Sequence, residues 1–301
     1  MYNLRLFIRL ARPQFLLGGI LLYALGAGIA RYLGTPIDWG VFVLGQVWGT
    51  LLQLSTQFLN EYFDFDYDLK NPNRTLLTGG SGALGPGKLP RATALWSAVG
   101  CMAVVASLTV LLLKEGDIGP LTAVIMFLIF LGAIFYAVPP VKLESSGYGE
   151  LTTAILISNL VPAFAFVLQT GHLHRLLAMT TFPLTFLGIA MLLAFELPDY
   201  NNDMKYGKRT LFVRAGWQLG MNIHNLMILF GYLILAIAVL LGLSVAIALP
   251  VILSLPIGLL QIWSMNRIAN GSRPNWNFLT LTGLLMYASV AYLLTLAFWT
   301  R

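Results

Sequence analysis

Two short polar segments hold most of the acidic residues of this chain, and their composition and spacing suit cation binding. The first, NEYFDFDYD at residues 60–68, places three polar side chains at intervals of four: Asn60, Asp64 and Asp68. The second, ELPDYNND at residues 196–203, places three carboxylates at intervals of three and four: Glu196, Asp199 and Asp203. Residues at these intervals share one face of a helix. Carboxylates one turn apart repel each other and are costly to keep ionised near a membrane, so each cluster calls for a cation.

Neither cluster contains Cys or His, which makes an all-oxygen site for a hard cation. Mg²⁺ is the usual choice where waters and a phosphate complete the coordination. Lys and Arg follow both clusters, and they suit direct contact with phosphate. A solvated helix end explains either cluster alone, but two such clusters at corresponding positions predict a diphosphate held by Mg²⁺ and by basic side chains. Glu61 and Asp66 lie off the shared stripe and are candidate surface residues.

The remainder of the chain is strongly apolar. Of its 301 residues, 58% are hydrophobic and 10% are charged, with a mean hydropathy of +0.79, which is outside the range of soluble globular domains. Apolar runs of about 20 residues, enough to cross a bilayer as helix, predict an all-α, polytopic membrane bundle of about nine spans. They lie near residues 14–33, 39–60, 92–113, 118–138, 148–168, 176–197, 219–241, 243–264 and 277–299. No intervening segment is long enough for a soluble core, so residues 1–301 are expected to form a single membrane domain.

The basic residues predict the orientation of the bundle in a cell or cytoplasmic membrane. With the N-terminus in the cytoplasm, 14 of the 18 Lys and Arg residues lie on the inner side and 4 on the outer side, as the positive-inside rule requires. Both acidic clusters then face the cytoplasm. The basic residues of the short loops between spans also account for the net charge of +6, which leaves no reason to infer nucleic acid binding. Nothing in the sequence calls for an obligatory protein partner.

The N-terminal segment MYNLRLFIRLARPQ predicts an interfacial helix lying on the cytoplasmic leaflet. One face of this helix is apolar and consists of Leu4, Phe7, Ile8 and Ala11. The other face is basic and consists of Arg5, Arg9 and Arg12. The single Cys101 excludes both a disulfide framework and a zinc site.

Several motifs of the chain resemble the UbiA superfamily of intramembrane prenyltransferases, over essentially its whole length. NEYFDFDYD is similar to the NDxxDxxxD motif of that family, and DYNND is similar to its DxxxD motif. Further similar segments follow in family order: ARPQFLLGG at the first span, FYAVPPVKL after the fourth and ELPDYNNDMKYGKRTLFVRAG after the sixth. Glu61 departs from the Asp that is common at its position, which is off the metal-facing stripe. The segment NRTLLTGGSGAL resembles the 1,4-dihydroxy-2-naphthoate polyprenyltransferase branch.

That resemblance implies a central cavity opening into the membrane and two Mg²⁺ ions between the motifs. It assigns one ion to Asp64 and Asp68 and the other to Asp199 and Asp203, with Asn60 in support. The candidate diphosphate ligands are Arg74, Lys142, Lys208 and Arg209, and Tyr136 is the candidate for the reacting allylic end. The implied reaction is Mg²⁺-dependent transfer of a polyprenyl group from its diphosphate to an aromatic quinone precursor. The acceptor is expected to be 1,4-dihydroxy-2-naphthoate, as in menaquinone biosynthesis.

Ionisation of an allylic diphosphate needs a neutralised leaving group and a site that excludes water. Aromatic rings near the clusters are candidates to stabilise the resulting cation: Tyr62, Phe63, Tyr136 and Tyr200.

Other acceptors and one other class of protein remain open. Within the family, the alternatives are 4-hydroxybenzoate, a glycerol-phosphate lipid and a haem or chlorophyll precursor. A phosphate-bearing acceptor would want further basic residues. A divalent-cation transporter would also place carboxylates at the membrane, but Lys and Arg beside them would repel a permeating cation.

Overall fold

A computed structural model describes residues 2–115 and 118–301, and within those ranges the helices are joined by turns and loops, without a β-strand. The helices are α1 (Tyr2–Ala11), α2 (Pro13–Tyr32), α3 (Trp39–Phe63), α4 (Phe65–Asp68), α5 (Arg91–Glu115), α6 (Pro120–Ala137), α7 (Gly149–Ile155), α8 (Val161–Thr170), α9 (Arg175–Glu196), α10 (Tyr200–Tyr206), α11 (Leu211–Ala215), α12 (Trp217–Leu240), α13 (Val245–Ala248), α14 (Leu255–Ala269) and α15 (Trp276–Trp299). A π-helical turn joins α7 to α8, and 3₁₀ turns join α9 to α10 and α13 to α14. The all-α prediction is confirmed.

Eight helical segments of the described chain are long and apolar enough to cross a membrane. They correspond to eight of the nine predicted spans. The remaining predicted span is α3, which has 25 residues but a lower hydropathy because it carries Gln46, Gln53 and Gln57. These three side chains line a cavity inside the bundle, so the polar residues of α3 lie on its inward face.

Local sequence explains where the helices end near the functional region. Helix α6 ends at Ala137, two residues before Pro139 and Pro140, because proline disfavours helical geometry in the residue before it. Helix α10 ends at Tyr206, because the next residue, Gly207, has a φ of +74°, a left-handed conformation that glycine adopts at little cost. The segments that follow α6 and α10 are short and polar, and they meet at one end of the bundle, where the backbone N–H of Arg209 donates to the carbonyl of Ser145.

Helices α2, α8, α9 and α15 pack around the centre, with α3 against α5 and α12 against α9. Close approach of α2 to α8 depends on Gly26, where a Cβ atom would lie 2.0 Å from the carbonyl oxygen of Pro162. Large side chains such as Trp48 and Phe164 fill the space between neighbouring helices.

The N-terminal helix α1 is amphipathic, as predicted. Its buried residues are Leu6 and Leu10, which pack on the bundle, whereas Leu4 and Ile8 are exposed. The apolar face named from sequence is therefore divided: Leu4 and Ile8 point outward, as suits a helix that contacts lipid, whereas Phe7 packs on Phe58 and Ala11 on the bundle.

Candidate active site

A cavity of about 650 Å³ lies inside the bundle. Its polar end is lined by seven carboxyl groups of the described residues: Asp64, Asp68, Glu144, Glu150, Glu196, Asp199 and Asp203. The rest is lined largely by apolar side chains, among them Leu21, Trp48, Leu52, Phe164 and Met191. The cavity thus suits an occupant with a charged head and an apolar remainder.

The first acidic cluster lies where α3 ends. Asp64 ends α3, its backbone N–H donates to the carbonyl of Asn60 at 2.9 Å, and α4 begins at the next residue. Despite this interruption Asn60, Asp64 and Asp68 all line the cavity, as the four-residue spacing predicts. Asp66 lies on the surface as expected, with its side chain 78% exposed and 3.3 Å from Arg91.

Glu61 is buried, so the expectation of a surface position is wrong for this residue. Its carboxylate accepts hydrogen bonds from the backbone N–H and the hydroxyl of Ser81, each at 2.6 Å, and lies 3.7 Å from Arg12. Burial of a charge is tolerated where it is paired and hydrogen-bonded in this way. Glu61 therefore anchors the glycine-rich loop, residues 78–87, to α3.

The glycine-rich loop passes directly over the first acidic cluster. Gly80 has a φ of +77°, and a Cβ atom at this position would lie 2.2 Å from Oδ2 of Asp68. Arg74 is half-buried and donates to the carbonyl oxygens of Gly79 at 2.7 Å and Asp68 at 2.6 Å. Arg74 thereby fastens the loop to the end of α4.

Asp64 lies between two lysines. Lys142 donates to one carboxylate oxygen and Lys208 to the other, and Asp64 itself is 3% exposed. Burial acts to raise the pKa of Asp64, but the two ammonium groups outweigh it, so the net shift is downward. Burial likewise acts to lower the pKa of Lys208, and the carboxylates of Glu144 and Asp64 outweigh it. This end of the cavity therefore stays charged.

No Lys or Arg of the described residues forms an ion pair with the carboxylate of Asp68, which therefore behaves differently. Burial, with the charges of Asp64 and Glu61, raises the pKa of Asp68 to about 7. An acid with that pKa readily exchanges its proton for a cation near neutral pH.

The second acidic cluster lies where α9 continues through a 3₁₀ turn into α10. Asp199 accepts a hydrogen bond from the side-chain amide of Asn71 at 2.8 Å, and Asp203 accepts one from the hydroxyl of Tyr67. Of these two donors, Tyr67 belongs to the first motif and Asn71 follows it by three residues. The two acidic motifs, 128 or more residues apart along the chain, are therefore joined by direct side-chain contacts.

The four basic residues expected to bind a diphosphate are placed differently. Lys142 and Lys208 reach the acidic cluster, whereas the guanidinium of Arg74 contacts backbone carbonyls. The Arg209 side chain is exposed, and its backbone N–H donates to the carbonyl of Ser145 at 3.1 Å.

The four aromatic residues named from sequence also lie in different places. Tyr136 lines the cavity. Tyr62 packs under Arg91, whose guanidinium carbon is 4.5 Å from the ring centroid, and Tyr200 packs edge-on against Trp217, with ring centroids 5.4 Å apart. Phe63 borders a second, smaller hollow beside Lys142 and Lys208.

Five residues that line or brace the site were not assigned to it from sequence: Arg12, Tyr67, Asn71, Glu144 and Glu150. The ring of Tyr67 lies 4.2 Å below the ammonium group of Lys208, close enough for a cation–π contact. A signal was present for Glu144 and Glu150, since carboxylates in the connection KLESSGYGE of so apolar a chain are unusual.

The apolar part of the cavity reaches the outer surface of the bundle. Leu17 of α2 and Leu285 of α15 line the cavity, yet they are 66% and 48% exposed. Both belong to helices apolar enough to cross a membrane, so the side chains exposed there meet hydrocarbon. A lipid-like chain can therefore extend from the polar end toward the bilayer.

The donor set suits Mg²⁺. Carboxyl groups outnumber the basic residues that line the cavity, which in the described ranges are Arg12 and Lys208. No three His, Cys, Asp or Glu side chains of residues 2–115 and 118–301 converge as a ready ligand set. Mg²⁺ needs no such cage, because it keeps several waters and is usually bound by one or two carboxylates together with substrate phosphates.

The model of the UbiA prenyltransferase family matches residues 20–290 of this chain. A structure of digeranylgeranylglyceryl phosphate synthase is similar, with 15% identity, a TM-score of 0.63 and coverage of 100% of this chain and 98% of that chain. A UbiA homolog from Archaeoglobus fulgidus bound to DMAPP and Mg²⁺ has 16% identity, a TM-score of 0.69 and coverage of 96% and 98%. A UbiA homolog from Aeropyrum pernix K1 has 15% identity, a TM-score of 0.67 and coverage of 92% and 96%.

None of the curated proteins compared with this chain matches it. At such low identities the solved structures show a common fold and no more. The family model is the stronger finding, because it matches most of the chain and includes both acidic motifs. This protein belongs to the UbiA prenyltransferase family.

Proposed function

We propose that this protein transfers a polyprenyl group from its diphosphate to an aromatic quinone precursor, with Mg²⁺ as cofactor. The observation that carries the proposal is the joining of two acidic motifs by side-chain contacts, with two lysines paired to Asp64, at the polar end of an apolar cavity. The similar protein from Archaeoglobus fulgidus binds DMAPP and Mg²⁺, which agrees with a diphosphate head at the acidic end and a prenyl chain in the apolar part.

The four motif aspartates would hold the metal, Asp64 and Asp68 on one side and Asp199 and Asp203 on the other. When bound, Mg²⁺ neutralises the leaving diphosphate and so favours cleavage of the allylic C–O bond. Asn60 lines the cavity one turn before Asp64 and supports that side. The carboxylates of Asp64, Asp199 and Asp203 already accept hydrogen bonds from neighbouring side chains, which preorganises three of the four.

Besides Mg²⁺, two lysine side chains would provide positive charge for the diphosphate. Lys142 and Lys208 both contact Asp64, and each has donors left for a phosphate oxygen, because an ammonium group carries three. Arg74 and Arg209 are further candidate diphosphate ligands. For Arg74, that role is compatible with its contacts to the backbone of the glycine-rich loop, because a guanidinium has five donors. Tyr136 is the candidate to face the allylic carbon, since its ring lines the cavity.

We further propose 1,4-dihydroxy-2-naphthoate as the acceptor, as in menaquinone biosynthesis. The support is the segment NRTLLTGGSGAL, which includes Thr78, Gly79 and Gly80 on the cavity wall. An acceptor with its own phosphate is less suitable, because the basic residues of the site are already assigned to the diphosphate of the prenyl donor. The distribution of Lys and Arg supports a cytoplasmic position for this end of the bundle.

A transfer assay tests the function. Purified protein in detergent is supplied with Mg²⁺ and radiolabelled geranyl diphosphate, and 1,4-dihydroxy-2-naphthoate, 4-hydroxybenzoate and a prenylated glycerol phosphate are offered separately. We expect labelled product with the naphthoate alone and none after addition of EDTA. Transfer to a different acceptor would correct the acceptor, and the absence of any Mg²⁺-dependent transfer would refute the function.

A further inference from the structure

Three basic side chains, from Arg9, Arg74 and Lys88, converge on one residue of the glycine-rich loop. The ammonium group of Lys88 donates to the carbonyl oxygen of Gly82 at 2.8 Å. A Cβ atom on Gly82 would lie 2.3 Å from Nη1 of Arg74 and 3.3 Å from Nη2 of Arg9, so both guanidinium groups lie against the same residue. We call Arg9, Arg74 and Lys88 the basic cluster.

No carboxylate of the described residues forms an ion pair with the basic cluster. The ion pairs of residues 2–115 and 118–301 instead involve other basic residues, namely Arg12, Arg91, Lys142 and Lys208. The nearby carboxylate of Glu61 is already paired with Arg12 and hydrogen-bonded by Ser81, and Arg74 reaches Asp68 through its backbone carbonyl. Because like charges close together repel each other, the cluster suits an anion that the chain itself does not supply.

The position of α1 indicates where such an anion comes from. Tyr2, Leu4 and Ile8 are exposed apolar side chains of α1, and Arg5 and Arg9, one turn apart, are exposed as well. A helix with this composition lies at the surface of a bilayer, and basic residues at that surface attract the headgroups of anionic lipids. Arg and Lys both suit contact with the phosphate of such a headgroup.

We propose that the basic cluster binds the phosphate of an anionic phospholipid, in the leaflet on which α1 lies. Charge complementarity selects an anionic headgroup. The exposed apolar residues of α1 place the cluster beside the bilayer, which favours a lipid over a soluble anion.

The bound headgroup would hold the glycine-rich loop over the first acidic motif. Gly80, two residues before Gly82, lies directly over Asp68. The loop also packs on α1, whose buried Leu6 and Leu10 belong to the same apolar cluster as Ala83 and Leu84 of the loop. An anion bound at Gly82 therefore joins α1 and the loop to the membrane surface and reduces local opening of the loop.

Hydrogen–deuterium exchange of the glycine-rich loop tests the inference. The protein is placed in nanodiscs of phosphatidylcholine alone or of phosphatidylcholine with phosphatidylglycerol. The reporter amides are those of Ser81 and Ala83, which flank Gly82 and donate to the carboxylate of Glu61 and the hydroxyl of Ser81. We expect them to exchange about fivefold more slowly with phosphatidylglycerol present. Equal exchange in the two bilayers would overturn the inference without recourse to any variant.

Variants then locate the effect. Arg9→Gln and Lys88→Gln each remove one charge of the cluster, and each should reduce the fivefold difference between bilayers to about twofold or less. Arg273→Gln is the matched control, because Arg273 is an exposed arginine outside the cluster, in the segment between α14 and α15, and it should keep the full difference. An undiminished difference in both cluster variants, or an equal loss in the Arg273 variant, would reject the assignment.

Two further arms identify the source of the anion and separate this inference from the proposed function. Inorganic phosphate added to phosphatidylcholine nanodiscs should leave the exchange unchanged, and slowing equal to that by phosphatidylglycerol would reject a lipid ligand. Exchange is measured without prenyl donor or acceptor. Lipid-dependent slowing in a protein that transfers no prenyl group would therefore retain this site and reject the function, and transfer without the slowing would do the reverse.

Discussion

Replacement of Lys208 by Met removes a buried cation from the point where the two acidic motifs meet. The Lys208 side chain is 17% exposed, contacts Asp64, and lies 4.2 Å from the ring centroid of Tyr67. Met keeps most of the aliphatic volume, so the change isolates the loss of charge. Lys142 remains on the other oxygen of Asp64, and the carboxylate keeps one partner.

The size of the effect follows from these contacts. A hydrogen bond to a charged group contributes about 1.5–3 kcal/mol, and a partly buried cation–π contact adds roughly 0.5–2 kcal/mol. Because Lys142 still pairs with Asp64, the loss in unfolding free energy should be about 2–4 kcal/mol, near or below the roughly 3–5 kcal/mol of a fully uncompensated buried charge. Loss of one donor to the leaving group should lower kcat about 100- to 1,000-fold.

The assay measures kcat for prenyl transfer and, on the same preparation, the thermal unfolding temperature in detergent. Lys205→Met is the matched control, since Lys205 is exposed on α10, the short helix that ends just before Lys208, and it should retain wild-type kcat. A folded Lys208→Met protein with kcat within threefold of wild type would refute the reasoning. An equal loss in the Lys205 variant would show a general effect of charge.

Three further changes have defined outcomes. Tyr67→Phe removes the hydroxyl that donates to Asp203, so the Mg²⁺ concentration for half-maximal activity should rise about tenfold in a Mg²⁺ titration of the rate, and an unchanged value would contradict this. Gly80→Ala places a Cβ atom 2.2 Å from Oδ2 of Asp68, so kcat/KM should fall about tenfold or more. Gly87 also has a positive φ but lies in open space, so Gly87→Ala should lower kcat/KM by less. Burial raises the pKa of Asp68 to about 7, so protons compete with Mg²⁺ below that pH; the calorimetric Kd for Mg²⁺ should rise about tenfold per pH unit from 7 to 5.5, and a constant Kd would contradict the assignment.

The sequence predicts the features that depend on local spacing. The four-residue interval of Asn60, Asp64 and Asp68 survives the break between α3 and α4, because the backbone N–H of Asp68 still donates to the carbonyl of Asp64. The helix ends before Pro139 and at Gly207 follow from residue type alone. The family resemblance identifies the enzyme class, and the family model confirms that class over residues 20–290.

The features that depend on packing between distant segments were not predictable. Glu61 has its partner Ser81 20 residues away, and no local pattern indicates that contact. Lys208 and Arg209 are adjacent in sequence, yet one side chain reaches Asp64 and the other is exposed. The turn at Gly207 sets their directions, and sequence specifies the presence of the turn without its orientation.

The polarity of α3 shows how function weakens a sequence signal. Gln46, Gln53 and Gln57 line the cavity and make this helix less apolar than the other predicted spans. The same placement leaves both side-chain polar atoms of Gln57 without a partner among the described residues. A helix that serves a polar cavity departs from the uniform hydrophobicity of a lipid-facing span.

The most direct test of the central claim is the rate of Mg²⁺-dependent prenyl transfer to 1,4-dihydroxy-2-naphthoate in single Asp→Asn variants of the two motifs. The positions are Asp64, Asp68, Asp199 and Asp203. Our account predicts that each variant nearly abolishes transfer while the protein still folds, as judged by its unfolding temperature and its elution as a single species. Near-normal transfer in any two of the four variants, or transfer by the wild-type protein without Mg²⁺, would contradict it.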